Sequence, residues 1–358
     1  MKLKRIWKIV FGLIIVFIVL VVGISILYEY EISPVDKKDT NEVVFKIEKG
    51  TGTKTIGKNL ENASLIHDAN FFVFYVKIHN ILNLQASTYK LKRSMNLKEI
   101  IEIINKGDGF NPNEVKITFK EGKNIRSIAK TIEANTNNKY DDILKKINDS
   151  KYVDSLIEKY WFLDKTIKSS DIYYPLEGYL FPSTYIFNDK NVSVETIITK
   201  MLNKTSEVLT KYKDDISKSN MSVHEIVTFA SIVELEGAND TDRPNVASVF
   251  YNRINKKISL GSDVTACYAQ KIDDTYECHN KANFNYNSKY NTRLLSNLGL
   301  PVGAICSPGE GSIKAVLKPA KTGYLYFVAD KNKKMYFFNT KDEFDSKIKE
   351  LKKNGDWL

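Results

Sequence analysis

The hydrophobic pattern divides the chain before any residue is given a role. Residues 9–28 read IVFGLIIVFIVLVVGISILY, without a charge. At 1.5 Å per residue a helix of that length covers about 30 Å, the thickness of a bilayer core. The segment before it carries Lys2, Lys4, Arg5 and Lys8 and no acid, and such a flank stays in the cytoplasm. A secretory leader would have a shorter apolar core and a small-residue cleavage site, which Tyr28-Glu29-Tyr30-Glu31 does not offer. The expectation is a cytoplasmic tail (1–8), a single transmembrane helix (9–28), a polar linker (29–41) and an extracytoplasmic remainder.

An internal repeat follows. Residues 44–61, VFKIEKGTGTKTIGKNLE, lie over residues 116–133, KITFKEGKNIRSIAKTIE, at an offset of 72. Gly50 falls on Gly122, Ile56 on Ile128 and Glu61 on Glu133. Each copy predicts a strand, a glycine turn and an amphipathic helix. The first copy goes on to an apolar helix (70–78), a turn (86–88), a strand (89–91) and a helix (97–105) closed by Gly107. Strand–helix–helix–strand is the layout of a LysM-like glycan-binding module, expected over 42–110, although a spacer of the same fold without a ligand reads identically. Residues 111–170 hold the second copy and a helical connector with Ile143, Leu144 and Ile147 on one side. Residues 173–187, YYPLEGYLFPSTYIF, are expected to be an irregular buried connector, and 191–211 an amphipathic helix.

The stretch 222–253 organises the remainder, 171–358. Ser222 and Glu225 form a capping box, so a helix starts there. Ile226, Val227, Phe229, Ala230, Ile232, Val233 and Leu235 make it apolar nearly all round, which belongs inside a domain. Its last turn nevertheless carries Glu234 and Glu236. These stand about 200° apart on the wheel, so at most one faces a given cleft. A carboxyl kept protonated by burial is the group that protonates a glycosidic oxygen; two partly wet residues of a fraying turn are the plainer alternative. A loop (237–244) and a second helix (245–255) follow. Loops are expected at 260–270, 273–277, 283–293 and 299–309, then a hairpin (324–329 with 335–339) and a terminal helix (341–353). The class is α+β.

Composition narrows the partners. The chain has 358 residues and a net charge of +10, which suits a polyanionic neighbourhood. Its lysines are scattered among acids rather than gathered with aromatics, so nucleic acid is not favoured. Of Cys267, Cys278 and Cys306, an odd number, at least one stays unpaired within the chain. Cys267 and Cys278 are near enough for a local disulfide in an oxidising compartment, with inert thiols the default. Cys278 and His279 lack the paired spacing of a zinc site. Tyr286, Tyr290 and Asn291 have the aromatic faces and amides that sugar rings and hydroxyls favour.

Six blocks in order resemble the membrane-anchored endolytic murein transglycosylases, the MltG or YceG-like family. They are LEGYLFPSTY (176–185), ASIVELE (230–236), VASVFYNR (246–253), LGSDVT (260–265), YNT (290–292) and GLPVGAICSPG (299–309). The resemblance covers the chain from the anchor to the last hairpin. It implies a LysM-like module ahead of a catalytic domain that cleaves peptidoglycan between N-acetylmuramic acid and N-acetylglucosamine, leaving 1,6-anhydro ends. Neither a cofactor nor a metal is called for. The family's catalytic glutamate matches Glu234. Asp263, Thr265, Tyr290 and Asn291 are the candidates for holding substrate. Glycan strands, membrane lipid and cell-wall synthesis proteins are the candidate partners. Val264 stands where the family usually has proline, and Arg293 where it has tyrosine. Two alternatives remain open: a hydrolytic muramidase, with Glu177 or Asp263 delivering water, and a non-catalytic wall-binding scaffold.

Overall fold

A computed structural model describes residues 2–357 as a mixed α+β protein. It divides into two compact units, Met1–Asn113 and Glu114–Leu358.

The first unit begins with α1 (Lys2–Ile32). Its Val10–Ile32 portion is long and apolar enough to cross a membrane, and its most apolar stretch is not buried. The helix continues through four residues expected to be linker, because its end docks: Ile32 is buried in the core of the unit, and Tyr28 and Tyr30 meet Phe71 and His67. Next come β1 (Glu42–Lys46), α2 (Thr53–Asn62), α3 (Ala69–Ile78), β2 (Thr88–Lys92) and α4 (Leu97–Lys106). β1 and β2 pair antiparallel from Glu42↔Lys92 to Lys46↔Thr88. Ile56 and Leu60 of α2, Phe72 and Val76 of α3, Leu91 of β2, and Ile100 and Ile104 of α4 close one core. Asn96 and Glu99 cap α4 reciprocally, and Gly107 ends it in the left-handed conformation.

The second unit repeats the opening. β3 (Val115–Thr118) and α5 (Ile125–Asn135) fall at the repeat offset from β1 and α2, and Gly50 and Gly122 both have positive φ. The expected helical connector is two helices, α6 (Tyr140–Ile147) and α7 (Ser150–Lys159), parted where Asp149 caps the second. The aromatic segment 173–187 is not irregular throughout. Its last four residues form β4 (Thr184–Phe187), antiparallel to β3. Tyr185 and Phe187 alternate inward there, a two-residue period that the two upstream prolines obscured.

α8 (Val194–Lys211) and the short α9 (Lys213–Lys218) lead to α10 (Val223–Glu236). α11 (Arg243–Asn255) starts two residues before the expected position. Pro244 sits in its first turn, where a missing N–H costs nothing. Two expected loops are helical: α12 (Asp263–Ala269) buries Ala266, Cys267, Tyr268 and Ala269, and α13 (Thr275–Lys281) is capped by Asp274. A disulfide joins Cys267 to Cys278 and so ties α12 to α13, replacing the default of inert thiols there, while Cys306 is free and buried. α14 (Glu310–Leu317) packs against α10 and α11. The hairpin β5 (Tyr326–Ala329) with β6 (Met335–Phe338) and α15 (Lys341–Asn354) complete the chain.

Candidate active site

The capping box of α10 is present. The Glu225 N–H donates to the Ser222 hydroxyl, and the Ser222 N–H donates to the Glu225 carboxylate. Residues 226–233 are all buried, which fixes the helix rotationally. Its C-terminal turn is therefore held in place, and Glu234 emerges there with its side chain only 5% exposed.

Donors surround that carboxylate. Arg243 Nη2, from the first residue of α11, lies 2.7 Å from Oε1. On Oε2, the Gly309 N–H donates at 2.9 Å and the Ser312 hydroxyl at 2.7 Å. Gly309 is the residue just before α14, so the carboxylate sits at a helix N-terminus, where anions are favoured. The sequence points to a carboxyl buried at the end of an apolar helix, and the structure adds polar partners around it. The helix behind Glu234 is greasy, but its carboxylate faces a guanidinium, a hydroxyl and a backbone amide.

Two further carboxylates share Arg243. Asp240 pairs with Nη1, and Glu121 Oε2 lies 3.9 Å from Nη2. Glu121 is brought there by backbone bonds: Gly122 N–H donates to Ser307 O, and Ser307 N–H donates to Lys123 O, both at 2.9 Å. Burial, then the nearby Glu234 charge, push the Glu121 carboxyl above its ordinary value, against the pull of Arg243. A side chain at Gly309 would collide with Glu121, and one at Gly311 with Asp240. The charged groups thus approach the backbone closely at both glycines, and a side chain there would have to push the Glu121 or Asp240 carboxylate aside.

The remaining candidates lie elsewhere in the unit. Tyr290, Asn291 and Thr265 are fully buried. Asn291 donates to the carbonyls of Phe284 and Tyr286 and accepts from Arg293 N–H. Thr265 bonds Ser262 O and the Thr292 hydroxyl. The Tyr290 hydroxyl accepts from Tyr173 N–H, and its ring packs on Tyr173 and Tyr268. All three brace the loop from within. Asp263 is partly exposed and paired with Arg293, so the residue that departs from the family pattern partners a candidate. Glu236 accepts from the Ser262 hydroxyl at 2.6 Å, on a different side of the helix end from Glu234.

Glu177 is also interior. It caps α5 by accepting the Ile125 N–H at 3.0 Å, and the Tyr268 hydroxyl donates to it at 2.8 Å. Burial pushes its carboxyl up to about 7, opposed by those bonds and by Arg126. Two open cavities, about 360 and about 270 Å³, follow β4 and α8 and are lined by none of the Glu234 cluster.

Sequence reasoning missed Glu121 and Arg243. The repeat held a signal for the first. At the position before the turn glycine, Lys49 of the first copy becomes Glu121 in the second. Arg243 gave none, since its role depends on how the 237–242 loop folds.

These features define a mixed α+β protein with one N-terminal apolar helix long enough to span a bilayer and a glutamate-centred charge cluster in its larger unit. The model of the YceG-like family matches residues 45–350. The chain is 34% identical over 327 residues to the endolytic murein transglycosylase of Bacillus subtilis, covering 90% of this chain and 89% of that one. It is 32% identical over 340 residues to the protein of the same description from Streptococcus pneumoniae, of which it spans 61%. The crystal structure of a YceG-like protein from Listeria monocytogenes matches with a TM-score of 0.60 at 37% identity, covering 86% of this chain and 99% of that one. The chain belongs to the YceG-like family.

Proposed function

We propose that this protein is a membrane-anchored endolytic murein transglycosylase and that Glu234 is its acid and base. The observation that carries the reading is the environment of Glu234. It is one carboxylate on a rigid buried helix, held by donors on both oxygens, in a chain similar over nine-tenths of its length to proteins named for this activity.

The chemistry needs one such group. Glu234 passes a proton to the oxygen linking C1 of N-acetylmuramic acid to N-acetylglucosamine, the C1–O bond breaks, and the N-acetylglucosamine end leaves as an alcohol. The 6-hydroxyl of the same muramic acid then bonds to C1, and its proton returns to Glu234. A 1,6-anhydro ring results, and no water is consumed. An acid must carry its proton before giving it up, and Oε1 is the oxygen that Arg243 holds. Glu121, half exposed beside a nearly enclosed Glu234, marks the side from which the strand arrives.

Tyr290, Asn291 and Thr265 take a positioning role in this scheme, holding the 283–293 loop, and Asp263 is the member of the set that reaches solvent. Residues 42–110 act as the LysM-like glycan-binding module, supported by the order β1–α2–α3–β2 and its antiparallel pairing. The positive flank of α1 keeps the N-terminus cytoplasmic and puts the chain after the span outside the cell, where the Cys267–Cys278 disulfide persists.

Mass spectrometry of peptidoglycan digested by the full chain tests the proposal. Anhydro-muramic ends support it, reducing ends would make the protein a hydrolase, and intact strands would leave it a wall-binding scaffold.

A further inference from the structure

The helix α3, ANFFVFYVKI, is apolar on more faces than its core needs. Phe72, Tyr75 and Val76 are buried. Phe74 and Ile78 are each 52% exposed, and Leu82, just beyond the helix, is 86% exposed. Phe71, Phe74 and Ile78 are spaced three and four apart, so they form one stripe. Single exposed apolar residues are ordinary, but a contiguous stripe marks a surface that something covers.

What covers it follows from where the stripe begins. The Phe71 ring meets the Tyr28 ring edge-on at 5.7 Å and lies 6.1 Å from Phe74. Tyr28 belongs to the apolar stretch Val10–Ile32 of α1. Tyr30 stacks on His67 at 4.4 Å and Ile32 is buried, so the last turn of α1 is packed against the same unit. The apolar surface thus continues from the end of the span through Phe71 to Phe74 and Ile78, and the exposed Leu82 follows just beyond the helix. Lys77 and His79 flank it and are exposed. Aromatic and aliphatic side chains on one face with basic residues beside them suit a helix lying in the headgroup–acyl boundary.

We propose that the Phe71, Phe74 and Ile78 face of α3, with Leu82 just beyond it, rests in the lipid interface at the C-terminal end of the span, so that the first unit lies on the membrane instead of hanging from a tether. This rests on the reading of α1 as a membrane anchor. It makes the lipid surface a second attachment and fixes the module at a constant height above the bilayer.

Site-directed spin labels on the full chain in phosphatidylcholine–phosphatidylglycerol vesicles test it. The native cysteines are either bonded or buried, so a nitroxide attaches to one introduced thiol. Labels at Phe74→Cys, Ile78→Cys and Leu82→Cys are compared with Ile18→Cys in the span and Glu48→Cys on the polar surface. Collision rates with oxygen and with a water-soluble nickel chelate are read for each. The expected result is a severalfold higher oxygen-to-nickel ratio at 74, 78 and 82 than at 48, approaching that at 18. Water-like ratios at those three positions with a lipid-like value at 18 would overturn the proposal and leave the anchor standing. A water-like value at 18 would overturn the anchor itself. Low collision rates with both reagents at 74, 78 and 82 would mean that a protein covers the stripe, which also overturns the proposal.

Discussion

Replacing Arg243 by methionine keeps most of the aliphatic stem and removes the guanidinium. Three acids lose a partner, but they do not lose equally. Asp240 is 78% exposed and Glu121 52% exposed, so each of those pairs contributes little. Glu234 is 5% exposed and its partner 12% exposed. Removing one member of such a buried pair costs about 3–5 kcal/mol when the remaining charge has no other partner. Here the Gly309 amide and the Ser312 hydroxyl stay on Oε2, so the expected loss lies at or below the low end, about 2–3 kcal/mol. Combining Arg243→Met with Glu234→Gln removes both charges, and the pair of changes should cost less than the two single losses added, by about 2 kcal/mol. The assay is urea unfolding of the second unit, followed through Trp161 and Trp357. A single variant within about 0.5 kcal/mol of wild type, or strictly additive losses in the double variant, would refute the claim that Arg243 and Glu234 form one coupled pair.

Other expectations follow from the same geometry. The buried Glu177 carboxyl ionises at about 7 against an ordinary 4.5; because the folded value is the higher one, its contribution is full below about pH 4.5 and falls by about 3 kcal/mol as the pH rises to about 7. Glu177→Gln should level that slope in unfolding midpoints measured across the window, and an unchanged slope would acquit Glu177. Glu121→Gln should slow glycan cleavage by about tenfold and remove one inflection from the pH–rate profile, since the carboxyl titrates above its ordinary value beside the reacting group; an unaltered profile would make Glu121 a bystander. Reducing the Cys267–Cys278 bond, which closes a sequence separation of 11, should cost about 3 kcal/mol by loop closure, and a calorimetric scan with and without reductant reads it.

The parts of this fold that were legible in the sequence are those whose signal is local. The capping box at Ser222 and Glu225 and the run of apolar residues behind it placed α10 and its terminal carboxylates. The 72-residue offset located β3 and α5 from β1 and α2. The environment of Glu234 was not local, because Arg243, the Gly309–Ser312 turn and Glu121 come from three separate segments. Residue chemistry also left direction open. A buried asparagine that ties loop carbonyls together, as Asn291 does, has the same donors and acceptors as one that binds a sugar. Helix α12 escaped for a related reason: Gly261 and Ser262 signal a turn, while the burial of Ala266–Ala269 that stabilises the helix comes from neighbours distant in the chain.

The central claim is that one proton, held by one glutamate, breaks the strand. Purified full-length Glu234→Gln, incubated with un-cross-linked glycan strands and analysed by mass spectrometry for 1,6-anhydro-muramic ends, tests it most directly. Wild type should generate those ends, while the variant, with an unfolding midpoint showing that it is still folded, should generate none. Anhydro ends appearing at the wild-type rate from the variant would contradict it.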